Sequence, residues 1–110
     1  MAKKDGVEEV SDGKFKEILE KNSLVVVDFF AEWCMPCLMM APVFEEIAEK
    51  FKGKAEFAKV NIDENSEIAN KHNIVSIPTI VIFKDKKEKN RITGTVSAEQ
   101  LEEKLRSLIK

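Results

Sequence analysis

The sequence predicts an α/β fold, a three-layer sandwich in which a mixed five-stranded sheet lies between helices, four in all. Three observations carry this. Strand-like and helix-like apolar patterns alternate through the first two-thirds of the chain, as in linked βαβ units. The run Leu24–Phe30 (LVVVDFF) is apolar except for one carboxylate, the pattern of a strand covered on both faces. Towards the C-terminus two strand-like runs adjoin across a short polar stretch and a helix follows, which gives the sheet antiparallel members.

Each element has its own signal. Val7–Val10 reads as a short first strand. Ser11 is placed to cap a helix in which Phe15, Ile18 and Leu19 share a face. Leu24–Phe30 is the buried strand. A long helix runs from about Cys34 to Phe51, with Met40, Phe44, Ile47, Ala48 and Phe51 on one stripe. Pro42 lies inside it and should kink it. Glu56–Ile62 is a further strand and Asn65–Asn73 a short helix. Thr79–Phe83 and Lys89–Thr93 form a hairpin across a turn rich in Lys and Asp. Ser97-Ala98-Glu99-Gln100 is a capping-box pattern that opens a last helix, with Leu101, Leu105 and Leu108 on one side.

The 110 residues read as one domain, residues 1–110. Eighteen basic and 20 acidic residues leave a net charge of −2. Phosphate binding needs a basic surplus gathered on one face, so nucleic acid is not the expected partner. No apolar run approaches the roughly 18 residues of a membrane span. The charged opening Met1–Gly6 lacks the apolar segment of a signal peptide. A cytoplasmic protein is expected, although a chain whose leader had been removed would look the same.

There are two cysteines, Cys34 and Cys37, in Trp33-Cys34-Met35-Pro36-Cys37. A bridge across two intervening residues closes too short a loop to constrain much chain entropy. The pair is therefore better explained by reactivity than by stability. At about 100° per residue, Cys37 falls near the buried helix stripe and Cys34 well off it. Cys34 is expected to be the exposed attacking thiol and Cys37 the sheltered resolving one. A helix start suits a thiolate, because unpaired N–H groups and the positive end of the dipole converge there. Pro36 costs nothing in a first turn, whose N–H groups have no helical partner.

Disulfide exchange through a mixed disulfide then needs a base for the second thiol. Asp28 is the candidate. Three valines precede it and two phenylalanines follow, so burial should raise its pKa towards neutrality. Lys59 shares a strand face with Phe57 and could point inward to tune Asp28. The alternatives are a structural ion pair for the carboxylate and an exposed lysine.

The stretch Val27-Asp28-Phe29-Phe30-Ala31-Glu32-Trp33-Cys34-Met35-Pro36-Cys37 resembles the thioredoxin family signature. Ser76-Ile77-Pro78-Thr79 resembles that family's cis-proline segment, and Gly94 matches its glycine near the end of the last strand. The resemblance spans essentially the whole chain. It implies a thioredoxin fold and a general protein disulfide reductase. It implies no bound cofactor and electrons supplied by a thioredoxin reductase, ultimately from NADPH or another cellular donor. Clients by resemblance are ribonucleotide reductase, peroxiredoxins and methionine sulfoxide reductases, served by a monomer. Cys34 would be the nucleophile, Cys37 the resolver, and Asp28 the proton acceptor with Lys59 beside it. Pro78 would be cis and face the cysteines, with the Ile77 backbone pairing to an extended substrate. Substrate contact is expected from Trp33, Met35, Pro36, Ile77, Pro78 and Gly94, with Trp33, Ile77, Pro78 and Gly94 lining a shallow apolar groove.

Four positions depart from the family pattern. Met35 stands where glycine is usual, Phe30 where many members have a second tryptophan, Leu38 where a basic residue is common, and Lys86 where the hairpin turn usually has glycine. Neither Met35 nor Pro36 adds charge or a strong hydrogen-bond donor. The expected redox potential is therefore nearer about −270 mV than about −120 mV. Met35, Leu38 and Met39 fall off the core stripe and with Trp33 could form an adaptable apolar patch. The other reading packs Leu38 and Met39 under neighbouring loops.

Three rival functions remain. A zinc site would need four ligands, and His72 is the only histidine beside the cysteine pair. His72 lies in a polar helical stretch and reads as a surface residue. The same fold could serve as a redox-independent binding or assembly subunit. A disulfide isomerase or oxidase is the third.

Overall fold

The computed structural model describes residues 6–109. The charged opening, residues 1–5, lies outside them. The elements run β1 (Val7–Glu9), α1 (Asp12–Lys21), β2 (Leu24–Phe30), α2 (Met35–Lys50), β3 (Glu56–Asn61), α3 (Ser66–Lys71), β4 (Thr79–Lys84), β5 (Lys87–Thr93) and α4 (Ala98–Ile109). They form one five-stranded sheet in the order β1-β3-β2-β4-β5. β3 pairs in parallel with β1 and β2, whereas β4 runs antiparallel to both β2 and β5. This is the mixed α/β/α sandwich of the thioredoxin fold.

The two faces follow from the period of two along each strand. Leu24 and Val26 of β2, Phe57 of β3, and Ile80 and Ile82 of β4 pack with Met40, Phe44 and Ile47 of α2 and with Leu101 and Leu105 of α4. Val25, Val27 and Phe29 of β2, Val60 of β3, and Val81 and Phe83 of β4 pack with Phe15 and Ile18 of α1 and with Ile68 of α3. Each such side chain, once fully buried, stabilises the fold by roughly 1.5–3 kcal/mol. Asp28 is two residues from Val26, so alternation turns it towards α2. Lys59 is two from Phe57 and turns the same way. The parallel register sets Asp28 and Lys59 side by side.

The capping box forms as expected. The Gln100 N–H donates to Ser97 Oγ at 3.1 Å, and the Ser97 N–H donates to Gln100 Oε1 at 3.2 Å. Ser11 takes the N-cap position of α1, but its side chain makes no capping hydrogen bond. It is exposed, where water can serve first-turn N–H groups equally well. Pro42 stands inside α2 without ending it.

The hairpin turn is tighter than the sequence suggests. β5 starts at Lys87, and only Asp85 and Lys86 link it to β4. Both have positive φ, 52° and 74°. Two-residue hairpin turns of this hand favour Asn-Gly or Asp-Gly, so Lys86 hides the signal. Further along, Ile82 pairs with Asn90 but Phe83 pairs with Glu88, leaving Lys89 as an extra, bulged residue.

Candidate active site

The site is assembled at the junction of β2 and α2. β2 delivers the chain through Ala31 to Trp33, and Cys34 is the N-cap of α2. The Cys37 N–H donates to Cys34 Sγ at 3.2 Å. The sulfur thus occupies the place a serine or aspartate oxygen takes in an ordinary N-cap. Cys34 and Cys37 are joined in a disulfide, their Cα atoms 5.2 Å apart. Pro36 falls in the first turn, where no helical hydrogen bond is lost.

The expected contrast in exposure is not observed. Cys34 and Cys37 are each 4% exposed. The helical wheel placed Cys34 off the core stripe, but it could not include Phe30, Ala31, Ile62 and Ile77, which close over both cysteines from other elements. The asymmetry lies instead in what each cysteine faces. Cys34 lines an open groove of about 570 Å³, whereas Cys37 lines a small cleft of about 70 Å³ on the other side.

The cleft is where Asp28 and Lys59 meet. Its walls include Cys37, Leu38, Ala41 and Glu45 of α2. Asp28 is buried, and its Oδ1 has no hydrogen-bond partner. Burial pushes its pKa up from 3.8 to about 7, with the Lys59 ammonium pulling the other way. The Lys59 Nζ sits 5.1 Å from the centre of the Phe30 ring, in cation–π range.

The groove is apolar. Trp33, Met35 and Pro36 form one wall, and Ile62 with the loop Ile74–Ile77 forms the other. The Trp33 indole N–H donates to Asp63 Oδ2 at 2.8 Å. Asp63 is held in turn by the buried Asn61, whose Oδ1 accepts the Asp63 N–H at 2.9 Å. The Ile77–Pro78 peptide is cis. Thr79 Oγ1 donates to the Ser76 carbonyl at 2.7 Å and fastens this turn.

Neither Pro78 nor Gly94 is among the residues that line this 570 Å³ groove. Pro78 is buried, immediately before β4. Gly94, with φ +90°, donates its N–H to the Pro78 carbonyl at 2.8 Å. Asp63, Ile62, Ile74 and Val75 are contributors that no sequence pattern marks, because loops bring them in without a period. Arg91 is another. Its guanidinium donates to the His72 and Asn73 carbonyls at 2.6 and 3.1 Å and so ties β5 to the root of the groove loop.

His72 is not the plain surface residue expected. It is half-buried, its ring 5.4 Å from both Phe15 and Phe83 in edge contacts. Burial, with Lys71 nearby, lowers its pKa. Met35, Leu38 and Met39 are all exposed, which removes the reading that packs Leu38 and Met39 under loops. Among the described residues no group of three or more His, Cys, Asp or Glu is placed to hold a metal ion. Nor is any helix there long and apolar enough to cross a membrane.

Residues 6–107 match the family model described as thioredoxin. The chain is similar to thioredoxin 1 of Nostoc, 44% identical over 98 residues, which are 88% of this chain and 92% of that one. It is similar to a thioredoxin of Alicyclobacillus acidocaldarius, 41% identical over 100 residues and covering 91% and 95% of the two chains. Among solved structures, a mutant thioredoxin from Halobacterium salinarum superposes with a TM-score of 0.89 at 30% identity, covering 100% of this chain and 96% of that one.

Proposed function

The chain belongs to the thioredoxin family and is a protein disulfide reductase, and from that premise we propose how its residues divide the reaction. The Cys34 thiolate attacks one sulfur of a client disulfide. The client's other sulfur leaves as a thiol, and a mixed disulfide joins Cys34 to the client. Cys37 gives its proton to Asp28 and attacks Cys34 Sγ. That step releases the second client sulfur, which takes up a proton. Two electrons and two protons pass to the client, and the Cys34–Cys37 disulfide is the product.

The observation that carries this division is the pair of unlike cavities. The wider opening for a large disulfide partner is the groove on the Cys34 side, about 570 Å³ against about 70 Å³. A carboxyl group with pKa about 7 lies in the cleft, on the Cys37 side. At neutral pH such a group is partly ionised and can accept a proton without binding it too tightly. Lys59 keeps that value from rising further. Client contact falls to Trp33, Met35, Pro36 and Ile77 at the groove. The Ile77 backbone pairs with an extended client segment, while Pro78 and Gly94 hold that backbone in place.

A thioredoxin reductase recharges the disulfide, and no cofactor is bound. The clients are disulfide-containing proteins of the ribonucleotide reductase, peroxiredoxin and methionine sulfoxide reductase kinds. The protein works as a single-domain monomer in the cytoplasm. Its potential lies near the reducing end, because Met35 and Pro36 add nothing that favours the thiolate. Equilibration with glutathione tests this, and a value above about −200 mV counts against it.

The division of roles is tested by trapping. Cys37→Ser should accumulate clients as mixed disulfides on Cys34 and lose turnover, whereas Cys34→Ser should trap none. Trapping by both variants alike would remove the assignment.

A further inference from the structure

The α2 face that begins at the groove rim carries two thioethers that disulfide exchange does not use. Met35 is 67% exposed and Met39 73%, whereas Met40 is 2% exposed. The Met40 sulfur also accepts the Val96 N–H at 3.3 Å. Met35 and Met39 are four residues apart on α2, which puts them on successive turns of one helix face. Met35 lines the groove directly after Cys34. An exposed thioether is open to oxidants, and its sulfoxide turns a flexible apolar side chain into a polar one. A client that meets this rim with apolar surface would have to bury sulfoxide oxygens without partners, which is unfavourable.

We propose that Met35 and Met39 form a peroxide-responsive modification site, whose sulfoxides weaken client docking while leaving the Cys34–Cys37 disulfide unchanged. The proposal rests on the reading that clients dock at the groove. In each step the thioether sulfur gives two electrons to the O–O bond of a hydroperoxide and takes one oxygen. The sulfur is oxidised, and hydrogen peroxide is reduced to water. No cysteine takes part. The disulfide state presented here has no free thiol, so in that state peroxide meets thioethers first. Met40 is shielded by the core and stays reduced. The modification is reversible by methionine sulfoxide reductases.

The test treats the disulfide form with hydrogen peroxide and maps oxygen addition by peptide mass spectrometry. One added oxygen is expected on each of Met35 and Met39, and none on Met40. After removal of peroxide, turnover is measured with insulin and with a small aromatic disulfide. KM for insulin should rise about fivefold. Its kcat and the small-disulfide rate should hold, and a methionine sulfoxide reductase should restore KM. A Met35→Leu/Met39→Leu double variant, compared with itself before treatment, should not respond. Oxidation of Met40 as readily as the other two overturns the proposal. So does an unchanged KM in the sulfoxide form, or a double variant that responds like the parent. Ile77→Glu, run in parallel, separates the two levels. If it raises the insulin KM and the sulfoxides do not, only the methionine site falls. If it too leaves KM unchanged, the docking reading falls and takes the site with it.

Discussion

The two cavities beside the disulfide are built in opposite ways. The cleft next to Cys37 is made largely of regular structure, with Asp28 from β2, Lys59 from β3 and one face of α2. The groove next to Cys34 is made largely of element ends and loops, with Trp33 before α2, Ile62 after β3 and Ile74–Ile77 before β4. The cleft is small and holds an unpaired carboxylate oxygen, whereas the groove is large and apolar. The cysteines between them are equally buried. The proposed difference in chemical role therefore needs no difference in exposure. It needs only that one thiol face a base and the other face an opening wide enough for a partner.

That contrast can be broken from either side. The largest effect is expected from Asp28→Asn. The carboxyl group titrates near 7 in the folded protein, against 3.8 ordinarily. Folding therefore favours its protonated form. The stabilisation is complete below about pH 4 and is lost as pH rises through 7. At about 1.4 kcal/mol per pH unit, the ionised carboxylate opposes folding by roughly 4 kcal/mol above pH 7. Asp28→Asn should recover most of this in denaturant unfolding at pH 8 and almost none at pH 4. It should also slow release of the mixed disulfide and remove the rise in that rate through pH 7. Equal stabilisation at both pH values would mean that burial of the charge is not the cause.

The groove side should respond differently. Ile77→Glu sets a charge against apolar client surface and should raise KM for a protein disulfide about tenfold. The unfolding midpoint should move little, because Ile77 is only partly buried. A fall in kcat with KM unchanged would place Ile77 in the chemistry and not in docking.

Lys86→Gly touches neither cavity and serves as the control. Lys86 holds φ +74°, which glycine adopts without steric penalty. Stability should rise by about 1 kcal/mol or less, with both kinetic constants unchanged. A change in KM would show that the hairpin turn communicates with the groove.

The smallest shift is expected from Lys59→Met. The lysine charge is what lowers the Asp28 pKa against desolvation. Its removal should carry the rise in the resolving-step rate to higher pH. A shift to lower pH would mean that Lys59 acts through its stem or through Phe30 and not through its charge.

The cleft was legible in the sequence and the groove only in part. Asp28 is the one carboxylate in LVVVDFF, and Lys59 shares its strand face with Phe57. Strand alternation alone sends both towards α2. The groove loop has no such period. Ile74 and Val75 read as ordinary hydrophobic residues, and nothing in the chain order ties Asp63 to Trp33. His72 reads as a surface residue for the same reason, because its partners Phe15 and Phe83 come from α1 and β4.

The sheet, its helices, the reactive pair and the buried carboxylate are all readable from chain order. Those follow from periodicity, from capping chemistry and from the spacing of two cysteines, all of which are local. Tertiary structure decided what surrounds the pair. It buried Cys34 as deeply as Cys37, joined Gly94 to the buried Pro78 by a hydrogen bond, and left Met35 and Met39 in the open. The physical reason is that burial depends on which distant segments arrive at a point, and no period in the chain records that.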